Sequence, residues 1–253
     1  MKISNILFLD IETVSQFPTY EQLPNDWKIL WDQKAQSFLQ QNESETVASL
    51  YSRAGLYAEF GKIVCISCGY LVTDNNKRLK METHSFHDKD ERKLLQAFAA
   101  MLNGWKCADG LLCAHNGKEF DFPYICRRMI INGIKLPAIL DITGKKPWEI
   151  KHIDTLEIWK FGDFKARISL NLMAKVLNVP SSKDDIDGSQ VHEVYWVQKD
   201  VPRIVRYCEK DILTLGMIYC KLVGILNEHQ SHNTAQVSSL SNTSLPFYLQ
   251  KAS

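Results

Sequence analysis

No stretch of the 253 residues approaches the roughly 18 consecutive apolar side chains that a bilayer span needs, and the first residues carry no long apolar signal region. A membrane-embedded role is therefore not expected. Charge of one sign is also missing. Thirty Lys and Arg stand against 29 Asp and Glu, a net charge of +1, which argues against a globally basic nucleic-acid binder while leaving room for a local basic patch. Cysteines in a pairing pattern are absent too. The seven present are odd in number and lie in apolar or helical contexts such as Val64-Cys65-Ile66-Ser67-Cys68 and Leu112-Cys113, so a disulfide framework is not expected and a reducing, cytoplasmic compartment is the simplest. Cys65 and Cys68 do not read as a zinc pair, because three residues apart on a strand places their sulfurs on opposite faces and no second Cys/His pair stands nearby. There is no internal repeat.

A chain of this length, 45% hydrophobic, buries a full core and fits one large domain or a domain carrying an insertion. Four carboxylates stand out on three separated segments: Asp10 and Glu12 in Phe8-Leu9-Asp10-Ile11-Glu12-Thr13, Asp121 in His115-Asn116-Gly117-Lys118-Glu119-Phe120-Asp121, and Asp211 in Tyr207-Cys208-Glu209-Lys210-Asp211. The first pair follows the apolar run Ile6-Leu7-Phe8-Leu9, which reads as a buried strand, and the two-residue strand period puts both acids on one face. Unpaired carboxylates there are strongly disfavoured, whereas oxygen-bound hard cations neutralise them, and two such ions about 3.5–4 Å apart drive in-line attack on a phosphate. Each segment alone has an ordinary explanation. Asp-x-Glu fits a solvated strand end, Asp121 a helix N-terminus, and Tyr207 with Asp211 a tyrosine beside a surface acid on one helix face. Their conjunction points to a shared site for two divalent metals.

Between these segments the chain reads as follows. Trp27, Trp31, Ala35 and Phe38 recur at helical spacing, so residues 14–57 are expected to hold an insertion with an amphipathic helix laid on the body of the protein. Strands over 62–72 and 78–86 should pair antiparallel through a turn at Thr73-Asp74-Asn75-Asn76. Asp88 followed by Glu91 resembles a capping box ahead of the apolar face Leu94, Leu95, Phe98, Met101 and Leu102. A buried strand from Gly110 leads to a helix lined by Phe122, Ile125 and Met129 that stops near Gly133. A strand is expected from Ile150 to about Trp159, then a short helix capped by Ser169 with Leu172, Met173, Val176 and Leu177, and last a long helix from about Val201 to Leu226. This order is consistent with a mixed sheet flanked by helices. Residues 227–253 turn polar and read as a flexible tail.

The four acids stand in the order of the three motifs of the DEDD superfamily of 3′→5′ exonucleases, which the chain resembles. Tyr207, four residues before Asp211, matches the DEDDy branch; the other branch has a histidine five residues before that aspartate, where this chain has Arg206. Ala58-Glu59-Phe60-Gly61-Lys62-Ile63-Val64, Ser169-Leu170-Asn171-Leu172-Met173-Ala174-Lys175 and Asp185-Ile186-Asp187-Gly188-Ser189 are similar to stand-alone relatives of the exonuclease domain of family B DNA polymerases. The resemblance covers roughly residues 1–226 and thins between Val14 and Tyr57. It implies an α/β, ribonuclease H-like fold: a mixed five-stranded sheet of three antiparallel strands and then parallel ones. It also implies two Mg²⁺ or Mn²⁺ ions held by Asp10, Glu12, Asp121 and Asp211, with Tyr207 orienting the attacking water. The implied reaction releases nucleoside 5′-monophosphates from single-stranded 3′ ends, DNA before RNA, with Thr13, His115, Asn116 and Phe120 against the terminal nucleotide. An exoribonuclease, a catalytically silent binding module and a ribonuclease H-type endonuclease are the competing expectations.

Neighbouring residues have plainer readings. Asn116 beside Gly117 suits a turn and Phe120 a core. Glu119, Glu209, Asp185 and Asp187 match no ligand position, the first two reading as surface charges, and Asp154 reads as a solvated strand end before a supporting residue of the site. Between Lys145 and Arg167, six Lys and Arg alternate with Trp148, Trp159, Phe161 and Phe164, a mixture suited to phosphates and base stacking. Four acids in the same window dilute that signal, and aromatics beside a strand more often belong to a core.

Overall fold

The run Ile6-Leu7-Phe8-Leu9 opens β1 (Ile6–Ser15), the central strand of a five-stranded sheet of order β3-β2-β1-β4-β5. The structure is a computed structural model and describes residues 2–40, 44–73, 79–105, 107, 109–181 and 185–225. β2 (Gly61–Thr73) and β3 (Leu79–Phe86) pair antiparallel with each other, and β2 pairs antiparallel with β1. β4 (Leu111–Ala114) and β5 (Ile153–Asp154) continue the sheet in parallel on the other side of β1. The turn expected at 73–76 lies, apart from Thr73, outside the described residues, as do residues 226–253.

Helices cover both faces. They are α1 (Asn25–Leu39), α2 (Glu91–Gly104), α3 (Asp121–Ile131), α4 (Thr155–Lys160), α5 (Leu170–Val176), α6 (Val191–Glu193, running into a π-helical turn at Val194–Gln198) and α7 (Val201–Leu222). Strand alternation sorts the side chains of β1 between them. Leu7, Leu9 and Ile11 pack with Leu94, Leu95 and Phe98 of α2 and Phe122, Ile125 and Met129 of α3. Ile6 and Phe8 face Leu215 and Tyr219 of α7. Full burial of each such side chain contributes about 1.5–3 kcal/mol. Asp10 and Glu12 continue the Ile6 and Phe8 series, so they point to the α7 face. Cys65 and Cys68 belong to different clusters, one on each face. None of the described helices is long and apolar enough to cross a membrane.

Side chains from residues 17–39 and 47–60 build an aromatic cluster of their own. Trp31 and Ala35 of α1 are fully buried with Tyr51, and the Trp31 ring lies edge-on to Tyr51 and Phe60 at 5.4 and 5.3 Å. A 3-10 segment, Ser49–Leu56, presses this cluster against β1: a Cβ on Gly55 would lie 2.9 Å from the Val14 carbonyl carbon.

Several local expectations are corrected. The stretch 150–159 is not one strand: β5 lasts two residues because Asp154 turns its carboxylate onto the amides of Leu156 and Glu157 and so caps α4. The cap of α2 is Asp90, not Asp88, accepting from the Arg92 amide. Glu91 does not fold back; it is buried and accepts from the Ile63 amide (2.7 Å), Arg128 Nε (2.9 Å) and Asn132 Nδ2 (3.0 Å). In α5 the packed residues are Met173 and Ala174, whereas Leu172 and Val176 are exposed. α7 ends at Leu222, and Glu209 is no free surface charge, since it accepts from Ser85 Oγ on β3 at 2.7 Å.

The Arg128–Glu91 pair joins α3 to α2 and β2, and Arg128 Nη1 also donates to the Ala58 carbonyl at 2.8 Å. Both side chains are nearly solvent-free, so losing one strands the other charge. Arg128→Ala is expected to lower unfolding stability by about 3–5 kcal/mol, measured by urea denaturation.

Candidate active site

Two elements deliver the centre of the site. Asp10 and Glu12 project from β1 toward α7, and α7 returns Asp211 together with Tyr207 and Cys208, four and three residues before it and so each a neighbour of Asp211 on the helix surface. Oxygens of Asp10 and Glu12 and the sulfur of Cys208 all lie within 4.8 Å of one another. The Cys208 thiol donates to Asp10 Oδ2 at 3.4 Å and to the Asp10 carbonyl at 3.5 Å. Tyr207 is hydrogen-bonded to Asp211. The sequence gives Cys208 no role of its own beyond its place between Tyr207 and Asp211. Its signal was its place three residues before Asp211, on the same helical face.

Asp121 arrives from the other side of β1, as the first residue of α3, and its carboxylate accepts from its own amide and from that of Ile11. β4 pairs with β1 only as far as Phe8, which leaves the Ile11 amide beyond the end of that ladder. The loop that brings Asp121 there is held by Asp154. Asp154 Oδ1 accepts from the amides of Asn116 (2.9 Å) and Leu156 (2.9 Å), and Oδ2 from that of Lys118 (3.1 Å). Asp154 is thus buried and fully engaged, not a solvated strand end. Asn116 takes a left-handed conformation, φ 62°, at the turn, and a Cβ on Gly117 would collide with that of Ala114.

The four residues expected against a substrate sit around this loop. Nε2–H of His115 donates to the Ile168 carbonyl (2.9 Å), leaving Nδ1 to accept from Thr155 Oγ1 (3.0 Å); burial pulls its pKa down, consistent with that neutral tautomer. Both its nitrogens are therefore engaged within the protein. Phe120 is partly buried against the core, its ring 5.3 Å from that of Tyr124. Thr13 lies at a β-bulge beside the Tyr124 hydroxyl, and Asn116 is half-buried.

Electrostatically the site is crowded with like charge. Burial, then Asp211, then Asp121 raise the Asp10 pKa; burial, then Asp10 and Asp211 raise that of Glu12. Burial pushes Asp121 up to about 7, with Asp154 and Asp211 adding to it. Burial first, then Asp211, Glu12 and Asp10, raise Tyr207 far above its ordinary range, so it stays a neutral donor. Glu12 is 7% exposed, and no hydrogen-bond donor among the described residues reaches its side chain. A divalent cation fits this set: oxygen donors converge, a buried carboxylate lacks a partner, and the repulsion disappears once positive charge is supplied.

Order and pairing of the five strands, with helices on both faces, define an α/β domain of the ribonuclease H-like class. The same fold is seen in the family B DNA polymerase of the archaeon Pyrobaculum calidifontis, at a TM-score of 0.50 and 15% identity over 85% of this chain. This chain spans only 24% of that polymerase. E. coli Exonuclease I, crystallised with an oligonucleotide, aligns over 90% of this chain and 42% of its own at 11% identity, but its TM-score of 0.38 supports no inference. No curated protein sequence is similar enough to count as a relative. The profile of a family described as predicted 3′-5′ exonucleases related to the exonuclease domain of PolB matches residues 56–248, well over half of the chain, and the protein belongs to that family. The match begins after β1, in the last residues of the aromatic insertion, and it runs past residue 226.

Two outcomes follow from this geometry. In the metal-free protein Asp121 titrates near 7 when folded and near 3.8 when unfolded, so the folded state holds more protons across that window and stability falls as pH rises through it. Thermal melts in a chelator should therefore show a lower midpoint at pH 8 than at pH 5, with Mn²⁺ restoring more at pH 8. Asp154→Ala removes the acceptor for the Asn116 and Lys118 amides. It should lower nuclease turnover by about 10- to 100-fold while Mn²⁺ still raises the melting midpoint.

Proposed function

We propose that this protein is a metal-dependent DEDDy 3′→5′ exonuclease that removes nucleoside 5′-monophosphates from the 3′ end of single-stranded DNA. The working unit is residues 1–226, with 14–57 as an insertion. The observation that carries the reading is the convergence, around Asp10, of Glu12 from the same strand, Asp211 and Tyr207 from α7, and Asp121 from the start of α3. Asp10, Glu12, Asp121 and Asp211 would hold two Mg²⁺ or Mn²⁺ ions. Two such ions, when bound, supply activation of water and neutralisation of charge on the scissile phosphate.

The protein's own residues do the rest. Asp10, whose pKa both Asp211 and Asp121 raise, would be a ligand to both ions, with Glu12 and Asp211 completing the set of one and Asp121 supporting the other. Tyr207, protonated and tied to Asp211, presents a hydroxyl that orients the attacking water; it does not remove the proton, because its pKa is displaced upward. The terminal nucleotide would lie along Thr13, Asn116 and Phe120, with His115 bracing the loop that carries the last two.

Mg²⁺- or Mn²⁺-dependent digestion of 3′- and 5′-labelled DNA and RNA oligonucleotides tests polarity and sugar choice together. A 5′-labelled DNA strand should shorten one nucleotide at a time and a circular strand should stay intact. Release of internal fragments, or faster loss of RNA, would contradict the proposal. Asp211→Ala should leave no detectable turnover. Tyr207→Phe should keep a residue of it, lower by about 10- to 100-fold, and an inert phenylalanine variant would show that the hydroxyl does more than position.

A further inference from the structure

The most exposed large apolar side chains among the described residues are Phe161 and Phe164, at 89% and 85%. They are not on a slack loop. Phe161 ends α4 in a left-handed conformation, φ 45°, followed by Gly162 at φ 90°. The Asp163 amide bonds the Lys160 carbonyl (2.8 Å), and the amides of Lys165 and Ala166 bond Asp163 Oδ1 and its carbonyl (3.0 and 3.1 Å). A phenylalanine in left-handed backbone is disfavoured, so the turn presents this ring to water at a cost.

The turn also borders the candidate active site. Ile168, four residues on, is bonded to His115, and Arg167 pairs with Glu119 at 3.8 Å, two residues before Asp121. We infer that Phe161 and Phe164 form a stacking platform for bases of a single strand, just upstream of its 3′-terminal nucleotide, with Lys165 and Arg167 against the phosphates. This deepens the exonuclease reading and rests on it. Bases stack on any aromatic face whatever their sequence, and alternating cations follow the backbone. A protein partner would instead need a contiguous apolar patch, whereas these rings alternate with Asp163, Lys165 and Arg167.

Trp148 provides an internal comparison. It is also exposed, at 75%, with Lys146 Nζ 5.2 Å from its ring centre, but it precedes β5, on the side where His152 meets Leu112 near the start of β4. Among the described residues no hydrogen bond or ion pair of Trp148 reaches the loop before Asp121, whereas Ile168 and Arg167 tie the turn to it.

The test is anisotropy of labelled single-stranded DNA oligonucleotides in Ca²⁺, alongside turnover of oligonucleotides and of thymidine 5′-(4-nitrophenyl phosphate), which has no upstream base. The double variant Phe161→Ala/Phe164→Ala should bind oligonucleotides about tenfold more weakly or worse. Its KM on them should rise in step, while its turnover of the mononucleotide ester and its melting midpoint stay at wild-type values. Trp replacements at both positions should restore binding, and Trp148→Ala should bind as wild type. Wild-type affinity in the double variant overturns the platform and leaves the exonuclease reading intact. No binding by the wild-type protein overturns the platform as well. Binding that needs both phenylalanines, without any strand degradation, removes the exonuclease reading and with it the placement upstream of a 3′-terminal nucleotide, leaving only a base-stacking surface.

Discussion

Like charges gathered where water is scarce are the constraint on which this structure turns. Asp10, Asp121 and Asp211 each raise the pKa of at least one other of the four acids, Glu12 raises that of Tyr207, and burial raises those of Asp10, Glu12 and Asp121. Such an arrangement is costly in the absence of a cation. It persists because apolar packing on both faces of β1 fixes the strand that carries two of the acids, while α7 carries a third in the middle of a well-buried helical face. Local destabilisation at a site, held by a core that tolerates it, is the expected signature of a centre built for a ligand that is itself charged.

Three smaller devices hold the acids in place. Asp154 spends its carboxylate on backbone amides from two segments, so the loop before Asp121 and the start of α4 are fixed by one side chain. His115 ties that loop to the segment after α4. Glu91 and Arg128 lock α2, α3 and the beginning of β2 into one block, on which Asp121 rides as the first residue of α3. None of the three is among the residues expected to touch metal, yet each fixes a backbone from which such a residue, or the candidate substrate path, extends.

Much of this was legible in the chain. Two-residue alternation in β1 put Asp10 and Glu12 on one strand face, and helical spacing put Tyr207 and Asp211 on one helix face; that these two faces meet came from the fold. The apolar spacings of α1, α2 and α3 were also readable, because a wide buried stripe leaves a clear period. Failures came where a short polar side chain outweighed apolar pattern. Ile150 to Trp159 looks like a strand until Asp154 caps a helix, and Asp88 looks like a cap until Asp90 takes its place. Phe161 and Phe164 read as core by composition, and only the turn after Lys160 sets them in solvent.

By itself, then, the sequence determined which residue types stand at which spacing: acids after a buried strand, a tyrosine four residues ahead of an aspartate, the periods of the long helices. Those are local properties, set by backbone geometry within a few residues. Only the tertiary structure decided that Cys208 lies against Asp10, that Asp154 is an acceptor for a distant loop, and that Glu91 answers Arg128. Each depends on contacts between segments dozens of residues or more apart, and nothing in the local pattern of a cysteine or an acid announces which distant atom it will meet.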